Sequence, residues 1–173
     1  MSNAQFRITL VCCLLTGPML SWGQAARQPG LWEMTSTTTW QKSPMPAGAT
    51  LPAGMTSPFA PTTRTTQVCL TQEMINKFGV PLSTPEPSCK VSNLVLNATS
   101  MTAEMSCTGR MNIHATMESS WPSANTAHGK MHMTGTMQMG ASPVPIELTV
   151  DSTSTFKGTD CGSVKPLPMP ASE

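Results

Sequence analysis

Between Cys89 and Met117 apolar and polar residues alternate almost without a break, and the alternation defines a hairpin. With Asn97, Ala98 and Thr99 as a short polar loop, strands run outward on either side. Cys89 then falls opposite Cys107, Val91 opposite Met105, Asn93 opposite Ala103 and Val95 opposite Met101. One face is largely apolar. The other carries Lys90, Ser92, Thr102, Glu104 and Ser106, with Leu94 and Leu96 as exceptions. A directly opposed, non-hydrogen-bonded antiparallel pair brings its Cβ atoms near the separation a disulfide needs, so cysteines and alternation point to one register. Thr108, Gly109 and Arg110 make a second turn, folding Met111, Ile113, Ala115 and Met117 back onto the face of Met101 to Cys107.

The rest of the chain reads in the same terms. Leu31 to Trp40 is a first strand with Trp32, Met34 and Trp40 on one parity; its threonine-rich centre suggests an edge or strongly twisted strand. Lys42 to Pro61 has no usable period and is expected to be a long loop. Thr62 to Cys69 is a second strand. Thr71 then offers a helix N-cap, Glu73 a charge suited to the first turn, and Met74, Ile75 and Phe78 an apolar side, with Gly79 and Pro81 as the stop. This helix of about two turns would cover an open end or one face of the sheet. Glu118 to His128 reads as a broad loop, Lys130 to Met139 as a strand, Ala141 to Pro145 as a turn, and Ile146, Leu148 and Val150 as one face of a last strand. These elements predict a mainly β fold: an antiparallel curved sheet of about seven strands, a partial barrel or sandwich, with one short helix and two disulfides. From Cys89 onward the strands should lie side by side in sequence order.

At the start, Arg7, the apolar run Ile8 to Leu20 and the small residues Gly23-Gln24-Ala25 form an export signal spanning residues 1–25, which places the protein in the periplasm. Cleavage after Ala25 or Ala26 removes Cys12 and Cys13. The run is interrupted by Gly17 and Pro18 and is too short for a membrane span, so none is expected after cleavage. Residues 26–164 make one β-rich domain. The tail 165–173, with Pro166, Pro168 and Pro170, is expected to be unstructured. Four cysteines remain in an oxidising compartment; with Cys89 joined to Cys107, elimination pairs Cys69 with Cys161. Their separations exclude a CxxC redox site or a zinc knuckle.

Ten basic residues against nine acidic, with only 11% of the chain charged, leave no basic patch for nucleic acid or anionic membrane surfaces. Solubility rests on Thr, Ser, Asn and Gln. At four places short motifs accumulate: Pro-Gly-Leu-Trp-Glu at 29–33, Val-Cys-Leu-Thr at 68–71 before a short helix, the paired Cys89 and Cys107, and Gly-Thr-Asp-Cys-Gly at 158–162. In order and spacing the chain resembles the exported proteobacterial domain-of-unknown-function family 3617. The resemblance covers essentially the whole chain after the signal. It implies a small exported protein and carries over no activity, cofactor or catalytic residue.

Candidate chemistry is sparse. No acid pair, phosphate loop or nucleophile motif occurs, and no local context makes a Ser, His or Asp catalytic, so the expectation is a protein that is not an enzyme and has no cofactor. Fifteen methionines offer an alternative: Met131, Met133, Met137 and Met139 could hold Cu(I) with a histidine. His114 and His132, however, fall on the opposite face, and thioethers equally well fill an irregular core short of aromatics. The preferred reading is a binding or envelope-associated accessory module. Its apolar concavity, between the sheet and the helix face of Met74 and Phe78, would receive a small apolar ligand or a segment of an envelope protein. A hydrolase is disfavoured.

Overall fold

The structure, a computed structural model, describes residues 27–45, 54–80, 88–109, 111–139, 142–167 and 169. The signal segment expected over residues 1–25 lies outside them. Seven strands and one helix follow in the order β1 (Gly30–Lys42), β2 (Thr62–Leu70), α1 (Gln72–Phe78), β3 (Cys89–Leu96), β4 (Ser100–Cys107), β5 (Met111–Ser123), β6 (Thr126–Met139) and β7 (Ser142–Gly158). All seven form one antiparallel sheet, ordered β2-β1-β7-β6-β5-β4-β3. The up-and-down run from Cys89 onward is therefore as expected. β1 is not an edge strand: it pairs with β2 on one side and β7 on the other, and its odd-numbered threonines serve the outer face, where Thr35 and Thr37 share hydroxyl hydrogen bonds with Thr65 and Thr63 (both 2.9 Å).

The sheet is a partial barrel and remains unclosed. Laid flat, six strand spacings would put the edges β2 and β3 ~29 Å apart. The chain from Leu70 to Gly79, mostly helix, reaches only ~17 Å. Yet an ideal Cβ at Gly79 would stand 2.8 Å from Leu96 Cδ1 on β3 and 2.6 Å from the Trp121 ring on β5. The edges must curl toward each other, and α1 bridges the gap. The helix is fixed as its sequence suggests: Thr71 Oγ1 accepts a hydrogen bond from the Met74 amide (3.1 Å), and Gly79 closes the last turn onto the Ile75 carbonyl (2.9 Å).

Curling separates the two parities of every strand. Trp32, Met101, Ala103, Met105, Ile113, Ala115, Met117 and Ile146 face inward and are buried, forming one core with Leu70, Met74 and Phe78. Polar residues take the outer face. Two disulfides tie the curl: Cys89 to Cys107 across β3 and β4, with 4.0 Å between Cα atoms, and Cys69 on β2 to Cys161 after β7, with 5.5 Å.

Four sequence expectations need correction. The β3–β4 register holds from Cys89 to Ser92 and then shifts at a bulge, so Asn93 has no partner opposite Ala103, and Val95 and Leu96 pair with Thr102 and Met101. Asn93 takes φ 51°, a conformation its short amide tolerates, and its Nδ2 donates to Glu104 (2.9 Å). The broad loop over Glu118 to His128 is instead the extension of β5 and β6, joined by a tight turn in which the Ser123 and Thr126 hydroxyls meet at 2.7 Å. The turn at Ala141 to Pro145 is likewise mostly strand, because Ser142 already pairs with Met139. Finally, the tail is docked at first: Cys161 holds it beside β2, Pro166 bridges Cys69, and Leu167 and Met169 lie against the core.

Candidate functional site

A transverse row of small residues crosses the inner face. Ser36 on β1 pairs with Ser152 on β7, Ser152 with Gly129 on β6, and Gly129 with Ser119 on β5. Larger side chains stand on both sides of the row, so the missing bulk becomes a cavity of about 210 Å3. Met34, Met101, Met117, Met131, Val80, Ala127 and Val150 give it apolar walls, and Ser36, Ser119, Ser152 and Ser154 supply hydroxyls. The close approach at Gly129 is what the row requires: an ideal Cβ there would lie 2.7 Å from Ser152 Oγ and 3.2 Å from Ser119 Oγ.

Arg27 forms part of the same wall. It precedes β1, and only 4% of it is exposed. Its Nη1 donates to the Gly79 carbonyl, while the guanidinium lies 4.5 Å from the Trp32 ring centroid and 5.7 Å from that of Trp121. Both indoles are themselves held, Trp32 Nε1 donating to the Gln28 carbonyl (3.0 Å) and Trp121 Nε1 to the Ala98 carbonyl (2.6 Å). Among the described residues, Arg27 Nε and Nη2 have no hydrogen-bond partner. Burial alone pushes the Arg27 pKa down from its ordinary value to about 10, a penalty on the charged form of roughly 3 kcal/mol. At neutral pH the group is still a cation.

Behind this site, on the outer face, a wider open groove of about 610 Å3 crosses β1, β7, β6, β5 and β4. Thr35, Thr37, Thr102 and Thr153 line it, with Lys130 in register between Glu118 and Asp151. Its charges are exposed and alternate in sign. Water already solvates them, so the inner-face cavity, with its apolar walls and buried cation, is the stronger candidate.

The residues singled out from sequence fall as follows. Met74 and Phe78, expected to face a ligand, have no exposed surface and line neither concavity; they fill the space between helix and sheet as core. Met131, Met133 and Met137 lie on the inner face of β6, partly buried against the core, and the strand continues through Met139 opposite Ser142. Of Met131, Met133 and Met137, Met131 lines the cavity. His132 is on the outer side with Glu147 (3.3 Å), away from the thioethers. Among the described residues, no three His, Cys, Asp or Glu side chains converge on a point that could hold a metal. Sequence reasoning missed Arg27, a lone charge before Pro29-Gly30, and it missed the serine row. A signal for the row was present: Ser36, Ser119, Ser152 and Ser154 occupy positions of inward parity in otherwise apolar series.

Fold and site together define a small disulfide-tied β-domain, half-barrel in form, with a ligand-sized cavity on its inner face beside a buried cation. The chain belongs to the family described as Protein of unknown function (DUF3617), whose model matches residues 27–161. No curated protein and no solved structure matches the chain. Among the described residues, no helix is long and apolar enough to cross a membrane.

Proposed function

We propose that this is an exported, periplasmic, non-catalytic binding protein that holds a small, largely apolar molecule in the inner-face cavity. The observation that carries the reading is the cavity itself: a row of small residues, walled by thioethers and aliphatic groups, on the inner face of the sheet. A purely structural sheet gains stability from filling such a row, since empty space forfeits contact energy. Export is supported by the N-terminal signal pattern and by two disulfides, which persist in oxidising compartments. A non-catalytic role is supported by the lining, in which the hydroxyls stand among thioethers while the side chains of His128 and Lys130 belong to the outer face.

The test is titration of the purified protein with 1-octanol, followed by tryptophan emission from Trp32 and Trp121 beside the cavity. Saturable one-to-one binding is expected. It should be lost in Gly129→Val, which fills the row, with the β-sheet circular dichroism unchanged. Unaltered emission of the wild type across the titration would overturn the reading.

A second reading has its own observation. Met117 pairs with Met131, and Met111 with Met137, so thioethers stand side by side on one face and could take Cu(I). A Cu(I) competition titration decides it: tight stoichiometric binding that disappears in the Met131→Leu, Met133→Leu double variant would replace the apolar-ligand reading.

A further inference from the structure

We propose that the ligand of the inner-face cavity is a carboxylic acid, a medium-chain amphiphile whose carboxylate pairs with Arg27 and whose apolar part lies along Met34, Met117 and Met131. This rests on the binding role proposed above and names the ligand class.

The argument begins with what Arg27 lacks. Arginine is rarely buried without an anion, because a charge withdrawn from water needs both a counter-charge and partners for its donors. Arg27 has one carbonyl partner, two donors without any, and no ion pair to a carboxylate among the described residues. Nothing but burial acts on its proton affinity. The rings of Trp32 and Trp121 attract the guanidinium, but such contacts act on its positive charge and leave the N–H donors without acceptors. The planar donor fork is matched in shape and charge by a carboxylate.

Three features narrow the ligand further. A single buried cation with neighbouring serine hydroxyls suits a monoanion; Lys130, which also borders the cavity, is exposed and stands in register between Glu118 and Asp151, so its charge is already solvated and countered and does not favour a dianionic phosphate. The remaining wall is thioether and aliphatic, which favours an alkyl chain over a polar body. The volume is about 210 Å3. An acid of the size of octanoate fits that space, whereas a long-chain lipid does not.

The test compares octanoate, 1-octanol and octylamine on the same purified protein, using tryptophan emission and the Nε–Hε resonance of Arg27. Octanoate should bind about tenfold or more tighter than 1-octanol, octylamine should be the weakest, and octanoate should shift the Arg27 resonance. In Arg27→Gln the preference should vanish, octanoate binding no more tightly than 1-octanol. Equal binding of octanoate and 1-octanol to the wild type would overturn the acid assignment and leave the apolar-ligand reading standing; binding of neither would overturn both. An octanoate preference that persists in Arg27→Gln, or that leaves the Arg27 resonance unmoved, would overturn the role of Arg27. If that variant fails to fold, the wild-type preference and the resonance shift decide the matter.

Discussion

Trp32 and Trp121 hold the Arg27 guanidinium between them although two whole strands, β7 and β6, separate β1 from β5. The contact is possible only because the sheet curls, and it joins the two halves of the curl at the end where α1 crosses. Trp121 contributes in two separable ways, by ring volume in the core and by its Nε1 bond to the Ala98 carbonyl in the β3–β4 loop. Trp121→Phe keeps most of the ring and loses the bond, and should cost about 1–2 kcal/mol. Trp121→Ala also opens a cavity and should cost about 3–5 kcal/mol. Urea unfolding curves of the two variants, compared through their midpoints, check the ordering.

How much of this was readable beforehand depends on which force set each feature. The Cys89–Cys107 pairing, the helix cap at Thr71 and the inward parity of Trp32, Met34 and Trp40 follow from local spacing, and local spacing is visible in a sequence. The bulge at Asn93 was not. An uninterrupted alternation through Asn93 predicts a straight ladder, yet curling the edge strand requires an extra residue, and the signal was only an Asn at the place where φ turns positive. The cavity was missed for a related reason: Ser36, Ser152, Gly129 and Ser119 come from four strands and align only once the registers are known. Arg27 has no local pattern at all, and its meaning comes from two indoles far away in the chain.

The two disulfides should differ in what they contribute. Cys69–Cys161 spans a sequence separation of 92 and Cys89–Cys107 one of 18. In the loop-entropy description the first restrains the unfolded chain by roughly 4–5 kcal/mol and the second by about 3 kcal/mol. Only the first also fastens the tail to β2, where Pro166 bridges Cys69. The Cys69→Ala, Cys161→Ala variant should therefore lose more stability than Cys89→Ala, Cys107→Ala, and should expose the β2 edge. Denaturation midpoints measure the first effect, and amide exchange over Thr62–Leu70 the second.

Gly30 and Gly158 lie close together where β1 begins and β7 ends, yet they should respond very differently to alanine. At Gly30, φ is +136°, and a Cβ would fall 2.2 Å from the Gly158 carbonyl oxygen and 2.8 Å from Thr159 Cα, both backbone atoms that cannot swing aside. Gly30→Ala should cost about 2–4 kcal/mol. A Cβ at Gly158 meets nothing within 4 Å, so Gly158→Ala should stay within about 0.5 kcal/mol of the wild type. Thermal midpoints of the two variants suffice, and equal losses would contradict the packing at the β1–β7 end.

Glu147 offers a test by pH. On the outer face of β7 its carboxylate meets Lys42 Nζ at 3.0 Å and His132 Nε2 at 3.3 Å, and the hydrogen bond from Lys42, then that from His132, holds its pKa below the ordinary value of 4.5. A carboxyl group whose pKa is lower folded than unfolded binds its proton more readily in the unfolded chain. Its contribution to stability is therefore present above the unfolded pKa and is lost as pH falls through the folded one. The pair is solvent-exposed, so the effect should be small and should shrink in high salt. From about pH 5 downward the gap in thermal midpoint between the wild type and Glu147→Gln should close steadily. A gap that widened on acidification over the same range would show that Lys42 and His132 do not stabilise the ionised carboxylate.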